Sequence, residues 1–266
     1  MKVSTFLLLI SVAATPLSAA SPHWTRQTHV QKALFGPRIH ILLEKSVDSA
    51  IVEAKGGYKV IRKDTGKTLS SGTIGKKFTM QAIQHGLRWG EEYPDVYEIA
   101  IVPTKCDTTI SVNGIQYKGA VSFYHVRDLQ IAIVNEVSIE EYLKSTLAAQ
   151  YAENDLSEEA LAALAIIART EAYAKTLARS RPWDVTVREA EYFGLGHDQN
   201  IEAAVNGTKY LVLETKDKAL LQNPHLSSTK ANELAQRGMD AQKILKSVFP
   251  AAKIGATITT NDLTIR

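Results

Sequence analysis

Two helix starts in direct succession, within residues 133–174, constrain this chain more than any other stretch. Ser138 with Glu141 three residues on forms a capping box, which predicts a helix from about residue 139. Its apolar stripe runs Ile139, Leu143, Leu147 at a spacing of four. Gln150 extends the stripe three residues further and is expected to point the same way as those core residues. Ser157 caps a second helix, with Glu158 and Glu159 in the first turn, where negative charge complements the helix dipole. From Ala160 to Ala168 this helix is apolar nearly all round, the mark of a buried helix. Arg169, Thr170 and Glu171 then follow, and a buried helix carrying an Arg and a Glu needs partners for them.

Strands precede the two helices. Ile39–Leu43, Ala50–Ala54, Tyr58–Ile61 and Asp95–Val102 read as strands separated by Gly-containing turns. Trp89 reads as a packing anchor between strands. Thr109–Val112 and Ile115–Tyr117 flank Asn113-Gly114, a strong signal for a hairpin with a type I′ turn. Ala120–Val126 and Leu129–Val134 form a further pair joined at Arg127-Asp128. After the helices, Arg179, Arg181 and Pro182 end the helical region, and Trp183-Asp184-Val185 opens an extended stretch. Asn206-Gly207-Thr208 is formally a glycosylation sequon and is read here as a turn. In the tail, Thr229–Arg237 is a helix stopped by Gly238, and Asp240 caps a last helix, Ala241–Val248, stopped by Pro250. The expected fold class is α+β: a β-strand-rich N-terminal half, two central helices forming a groove wall, and a helical C-terminal tail.

The N-terminus points to export. Lys2 precedes the apolar run Phe6–Ile10, Pro16 breaks it, and Ser18-Ala19-Ala20 supplies a small-x-small cleavage pattern. Residues 1–20 are therefore expected to be a cleavable signal peptide, 21–37 a linker, 38–255 the folded part (38–105 β-rich, 106–255 core) and 256–266 a tail. The run is short for a membrane span, and no membrane span is expected after cleavage. The expected location is the periplasm or another extracytoplasmic space. A formal charge of +3 over 266 residues, with no long basic run, argues against nucleic acid as a partner. The single Cys106 allows no internal disulfide and no thiol-based metal centre, and is expected as a small core residue.

The central block also carries a resemblance. Asn135, Val137, Ile139, Glu140, Tyr142 and Leu143 follow the pattern N-x-V-x-[LI]-E-x-Y-L. Glu159, Ala160, Leu161, Ala163, Ala165, Ala168, Arg169 and Thr170 follow E-A-L-K-A-Q-A-x-x-A-R-T-Y. In this order they resemble the sporulation stage II protein D (SpoIID)/LytB family of cell-wall proteins, the second name denoting an amidase enhancer. The hairpin V-N-G-I-Q-Y-K-G, Tyr192 with Gly194, the segment around Ala204, Val205 and Thr208, and Ser227 to Pro250 in the tail match further family motifs. The resemblance covers about residues 38–255 and is most specific in 113–174.

What the resemblance implies is a lytic transglycosylase acting on peptidoglycan glycan strands during wall remodelling, as at cell division. The preferred strands are ones stripped of peptides, which makes an N-acetylmuramoyl-L-alanine amidase a candidate partner. The chemistry needs one carboxylic acid and no cofactor. The acid protonates the glycosidic oxygen, and burial keeps its proton available. The family's acid falls, residue by residue, on Gln150, followed by Tyr151. A glutamine amide cannot donate and retrieve a proton, and loss of a general acid costs ~10²–10⁴-fold. Either activity is weak or absent, or another acid serves, Glu153 being the nearest. Arg169 is either structural, paired with Glu171 or Glu141, or orients the substrate. Tyr142, Tyr173, Tyr192 and Gly194 are expected to line a shared cleft. The family's Cys-Gly-Gly-x-Thr stretch is missing between Glu214 and Leu226, so a metal has no ligands there. Two functional classes stay open: a glycan-cleaving enzyme, and a glycan-holding or amidase-enhancing protein.

Overall fold

The computed structural model describes residues 37–178 and 181–257. The expected signal peptide, nearly all of the linker and Arg179 lie outside the described residues. In chain order the first strands are β1 (Arg38–Val47), β2 (Ser49–Lys55), β3 (Tyr58–Arg62), β4 (Thr68–Gly72), β5 (Lys76–Ile83), β6 (Gly86–Trp89), β7 (Glu91–Pro94) and β8 (Glu98–Pro103). Then come β9 (Thr109–Val112), β10 (Ile115–Tyr117), β11 (Ala120–His125) and β12 (Ile131–Ser138). Two long helices follow, α1 (Ile139–Tyr151) and α2 (Glu158–Leu177). The rest is β13 (Val185–Thr186), α3 (Val187–Ala190), α4 (Gln199–Gly207), β14 (Leu211–Glu214), α5 (Ser228–Gln236), α6 (Ala241–Val248) and β15 (Lys253–Ala256). The fold is α+β, with a β-rich N-terminal half and helices mostly in the C-terminal part.

β14 pairs with β15 in a small sheet; of the two larger sheets, one runs β13-β1-β12-β11-β8-β3-β4 and the other β10-β9-β2-β5-β6-β7. Their apolar residues meet in one core, where Val60, Ile99, Ile101 and Phe123 of the first join Val52, Met80, Leu87 and Trp89 of the second. Burying each of these large side chains stabilises the fold by about 1.5–3 kcal/mol. Trp89 is an anchor as expected: its ring is buried and its Nε1–H donates to Val52 O at 3.1 Å. The Asn113-Gly114 hairpin forms with both residues at positive φ (50° and 92°), as a type I′ turn requires.

β12 lies between β1 and β11, with Asn135 opposite Ile41 on one side and Val121 on the other. It passes into α1 without a loop. Ser138 ends the strand and its Oγ accepts from the backbone N–H of Glu141, so the central sheet sets the position of α1. Ser157 caps α2 in the same way, through Ala160 N–H. α2 is apolar nearly all round because it is enclosed on two sides. Leu161, Ala165 and Ala172 join the sheet core, whereas Ala160, Ala163, Leu164 and Ile167 pack in a second core with Leu213, Leu226, Leu234, Ile244 and Leu245.

Four expectations are corrected. Asp95, Val96 and Tyr97 are not strand; Asp95 turns at φ 56° and β8 starts at Glu98. The strands β4 to β7 were not anticipated, because polar residues such as Lys76, Lys77, Arg88 and Glu91 mask their alternation. Cys106 is exposed in the loop between β8 and β9, not part of the core. Asn206-Gly207-Thr208 is the end of α4 rather than a free turn, with Thr208 Oγ1 bonded back to Ala204 O at 2.7 Å.

Candidate functional site

The residues that match the family motifs converge, and most of them are structural. Arg169 is fully buried on α2. Its Nε and Nη2 donate to the two carboxylate oxygens of Glu140 at 3.0 and 2.8 Å, a bidentate pair. Nη2 also donates to Val205 O at 3.0 Å, and Nη1 to Thr208 Oγ1 and Leu211 O at 3.3 Å each. All five guanidinium hydrogens thus have partners within the protein. Arg169 is therefore a clamp joining α1, α2, α4 and β14, not a residue that orients a substrate, and its carboxylate is Glu140 rather than Glu141 or Glu171. Thr170 extends the clamp: its Oγ1 donates to Ile166 O and accepts from Leu213 N–H.

The tyrosines form a second brace. Tyr192 stacks between Tyr117 and Tyr142, with ring centroids 5.8 and 5.9 Å away and planes within 28°. Its hydroxyl donates to Asn135 Oδ1 at 2.7 Å, and Asn135 Nδ2 donates to Lys118 O and Ala120 O. Burial pushes the Tyr142 and Tyr192 hydroxyls well above the usual phenol value, so both stay protonated. With 6% and 2% of their surface exposed, neither ring is a platform for a sugar. Tyr173 is half-buried, and its hydroxyl is bonded to Thr257 Oγ1 at 3.0 Å, which aims it at the β14–β15 end. Gly194 acts through its backbone. At φ 98° an added Cβ would stand 2.7 Å from Gln116 O, and its carbonyl accepts from Ser145 Oγ. Beside it lies a small cavity of about 140 Å³, lined in part by Lys118, Lys144, Ser145 and His197. Of the residues expected to line a cleft, Tyr142, Tyr192 and Gly194 form a brace with a small cavity beside Gly194, and Tyr173 belongs to the β14–β15 end.

Gln150 is exposed at the last turn of α1, contrary to the stripe assigned to it. The stripe steps by four, so Ile139, Leu143 and Leu147 lead to Tyr151, which is partly buried against both cores. A step of three from Leu147 rotates Gln150 about 60° away, out to solvent. Glu153 is exposed in the turn after α1. Neither residue sits in an apolar place.

Glu171 does sit in such a place. It lies on the partly open strip of α2 formed by Ala168, Glu171 and Lys175, while Ile167, Arg169, Thr170 and Ala172 around it are buried. Burial pushes its carboxyl up, and the positive charges of Lys175 and His225 pull part of that back. Its own charge in turn raises the Tyr142 and Tyr151 hydroxyls. Glu171 is thus coupled through charge to Tyr142, Tyr151, Lys175 and His225. The sequence held a signal for it: Glu171 stands where the motif matched by Arg169 and Thr170 continues with Tyr. Among the described residues no group of three or more His, Cys, Asp or Glu is placed to hold a metal ion, and no helix is long and apolar enough to cross a membrane.

Comparison with known proteins finds a family for the central block. The family model described as stage II sporulation protein, SpoIID, matches residues 127–214, from the strand that enters α1 to β14. An uncharacterized protein of Chlamydia muridarum (strain MoPn / Nigg) is 35% identical over 229 residues, 84% of this chain and 79% of its own. A second uncharacterized protein, from Chlamydia pneumoniae, is 33% identical over 224 residues, 82% of this chain and 81% of its own. No solved structure is significantly similar to the chain. With its matched block folded as the Arg169 clamp and the Asn135–Tyr192 brace, the chain belongs to the SpoIID family.

Proposed function

We propose that this protein is an exported peptidoglycan-remodelling protein that holds glycan strands at the seam between its two cores and cleaves them by lytic transglycosylation. Membership of the SpoIID family supports a role on peptidoglycan. The signal-like N-terminus supports export. The observation that carries the reading is the division of labour around α1 and α2. Arg169, Thr170, Asn135 and Tyr192 are consumed in holding the helices, while the family's acid position, Gln150, stays open to solvent beside Tyr151.

A second reading, a glycan-holding protein that assists an amidase, is favoured by one feature. The Gln150 amide donates to and accepts from sugar hydroxyls but cannot run acid catalysis. Incubation of the purified protein with isolated glycan strands, with and without stem peptides, separates the two. Release of 1,6-anhydro-ended fragments is expected. Retention of strands without such ends would leave the second reading, and neither retention nor release would overturn both.

A further inference from the structure

We infer that the cavity beside Gly194 is a binding site for an α-amino-carboxylate group, the ammonium and carboxylate that one carbon bears in a free amino acid or in an amino acid side chain of a stem peptide. The site itself stands on the cavity's geometry and charge. Only the stem peptide as its source rests on the peptidoglycan reading above.

Four separate segments build the cavity, and tertiary bonds tie its walls together. Lys118 comes from the β10–β11 turn, Glu141, Lys144 and Ser145 from α1, His197 from the loop before α4, and Glu202 from α4. The loop is anchored on two sides. Leu195 N–H donates to Gln116 O at 2.9 Å, and Gly194 O accepts from Ser145 Oγ. At Gly196 the loop lies flat on α1, where an added Cβ would stand 2.8 Å from Ala148 Cβ. Asp198 then caps α4 through Ile201 N–H at 2.9 Å, which fixes the turn that carries Glu202. The charged groups are thus held around one opening before any ligand arrives, which lowers the ordering cost of binding.

The charges decide what fits. Glu141 and Glu202 face the cavity together with Lys118, Lys144 and His197. A simple anion would meet the two carboxylates, and a simple cation the two ammonium groups. A neutral sugar would take water from both without supplying a charge to either. A group that carries both signs on one carbon satisfies both. The pairs already present do not use up these groups. Lys144 Nζ lies 2.8 Å from Glu141 Oε1 and His197 Nδ1 3.7 Å from Glu202 Oε1, partly exposed pairs that add little to the fold. Lys118 Nζ donates to Cys106 O at 2.8 Å, which positions the ammonium and leaves it two further donors. At about 140 Å³ the cavity is smaller than the ~300–1,000 Å³ pockets that enclose a whole small molecule, so it takes one end group. Ile115, which abuts Gly194, and Phe193, next to it in the chain, are exposed apolar residues at this place, suited to the aliphatic stem that bears such a group.

The test is calorimetric titration of the purified protein with meso-diaminopimelic acid, its N,N′-diacetyl derivative and its diamide. Saturable binding of the unmodified compound is expected. Each blocked form should bind ~10–100-fold more weakly, the loss of one charge-assisted contact. Glu202→Gln and Lys144→Met should weaken binding by a similar factor at unchanged melting temperature, and Lys230→Met, outside the cavity, should bind as wild type. No saturable binding, or equal binding of the diacetyl form, would overturn the site. Loss of peptide-free strand retention in Glu202→Gln would also overturn it, making the cavity a sugar subsite. Glu202→Gln that loses retention only of strands bearing stem peptides would support the peptide as the source. Binding of the free compound without retention of any strand would keep the site and overturn the peptidoglycan reading instead.

Discussion

Arg169 and Glu171 stand two residues apart on one helix, and the protein treats them in opposite ways. Arg169 faces inward, where Glu140, Thr208 and two backbone carbonyls take up its donors. Glu171 lies on the side that opens at the seam, where no group is bonded to it and burial works against its charge. A buried charge with all partners satisfied is part of the scaffold, and removing one side of such a pair is costly. A half-buried charge such as that of Glu171, bonded to no group, adds no contact to the scaffold and is disfavoured by its burial. The comparison teaches that charge within a motif does not by itself mark a site; the count of satisfied donors and acceptors does.

The largest effect should come from Arg169→Met. It strands the Glu140 carboxylate and should cost about 3–5 kcal/mol of stability by denaturant unfolding. If Arg169→Met instead folds as wild type and only weakens glycan retention, the scaffold reading of that face is wrong. Glu140→Gln should reproduce most of the loss, because the same bidentate pair is broken from the other side.

A smaller effect, of about 3 kcal/mol, is expected from acid. Burial would raise the Glu136 carboxyl, but His40 beside it, with Lys63 and Arg38, holds it down at about 2, against an ordinary 4.5. Because the folded value lies below the unfolded one, this stabilisation is present above pH 4.5 and is lost as pH falls toward 2. Urea unfolding of Glu136→Gln across that window should lack this part of the decline.

Gly194→Ala should cost about 1–3 kcal/mol, since an L-residue at φ 98° is strained and its Cβ meets Gln116 O. Glu171→Gln should have the smallest effect on stability, and a favourable one. A carboxyl whose folded value is raised binds its proton more tightly in the folded state, so it costs stability as pH rises above 4.5. Glu171→Gln should therefore melt at or above the wild-type temperature at pH 7, with the gain disappearing in acid. A lower melting temperature at pH 7 would make Glu171 a structural residue like its neighbour.

Much of the fold was legible because local chemistry decides it. Ser138, Ser157 and Asp240 cap helices through their own side chains, and Asn113-Gly114 makes its turn from two residues that tolerate positive φ. Such features need no distant partner, so they read directly from the chain. The β4–β7 strands were missed because their stability comes from pairing and from one buried face, while their polar residues hide the alternation. The site was less legible for the same reason. Gln150 looked inward by spacing, yet a 60° rotation at the end of α1 turns it to solvent, and no sequence rule says where the core stops covering a helix.

The sequence by itself determined the family, the two capped central helices and the amide at the family's acid position, because those are facts of residue type and order. Only the tertiary structure decided which charges are spent and which are free. Arg169 reaches Glu140 across 29 positions and Thr208 across 39, contacts that form only when α1, α4 and β14 close on α2. Glu171 gains its environment in the same closure: burial raises its carboxyl, and the charges of Lys175 and His225 pull part of that back.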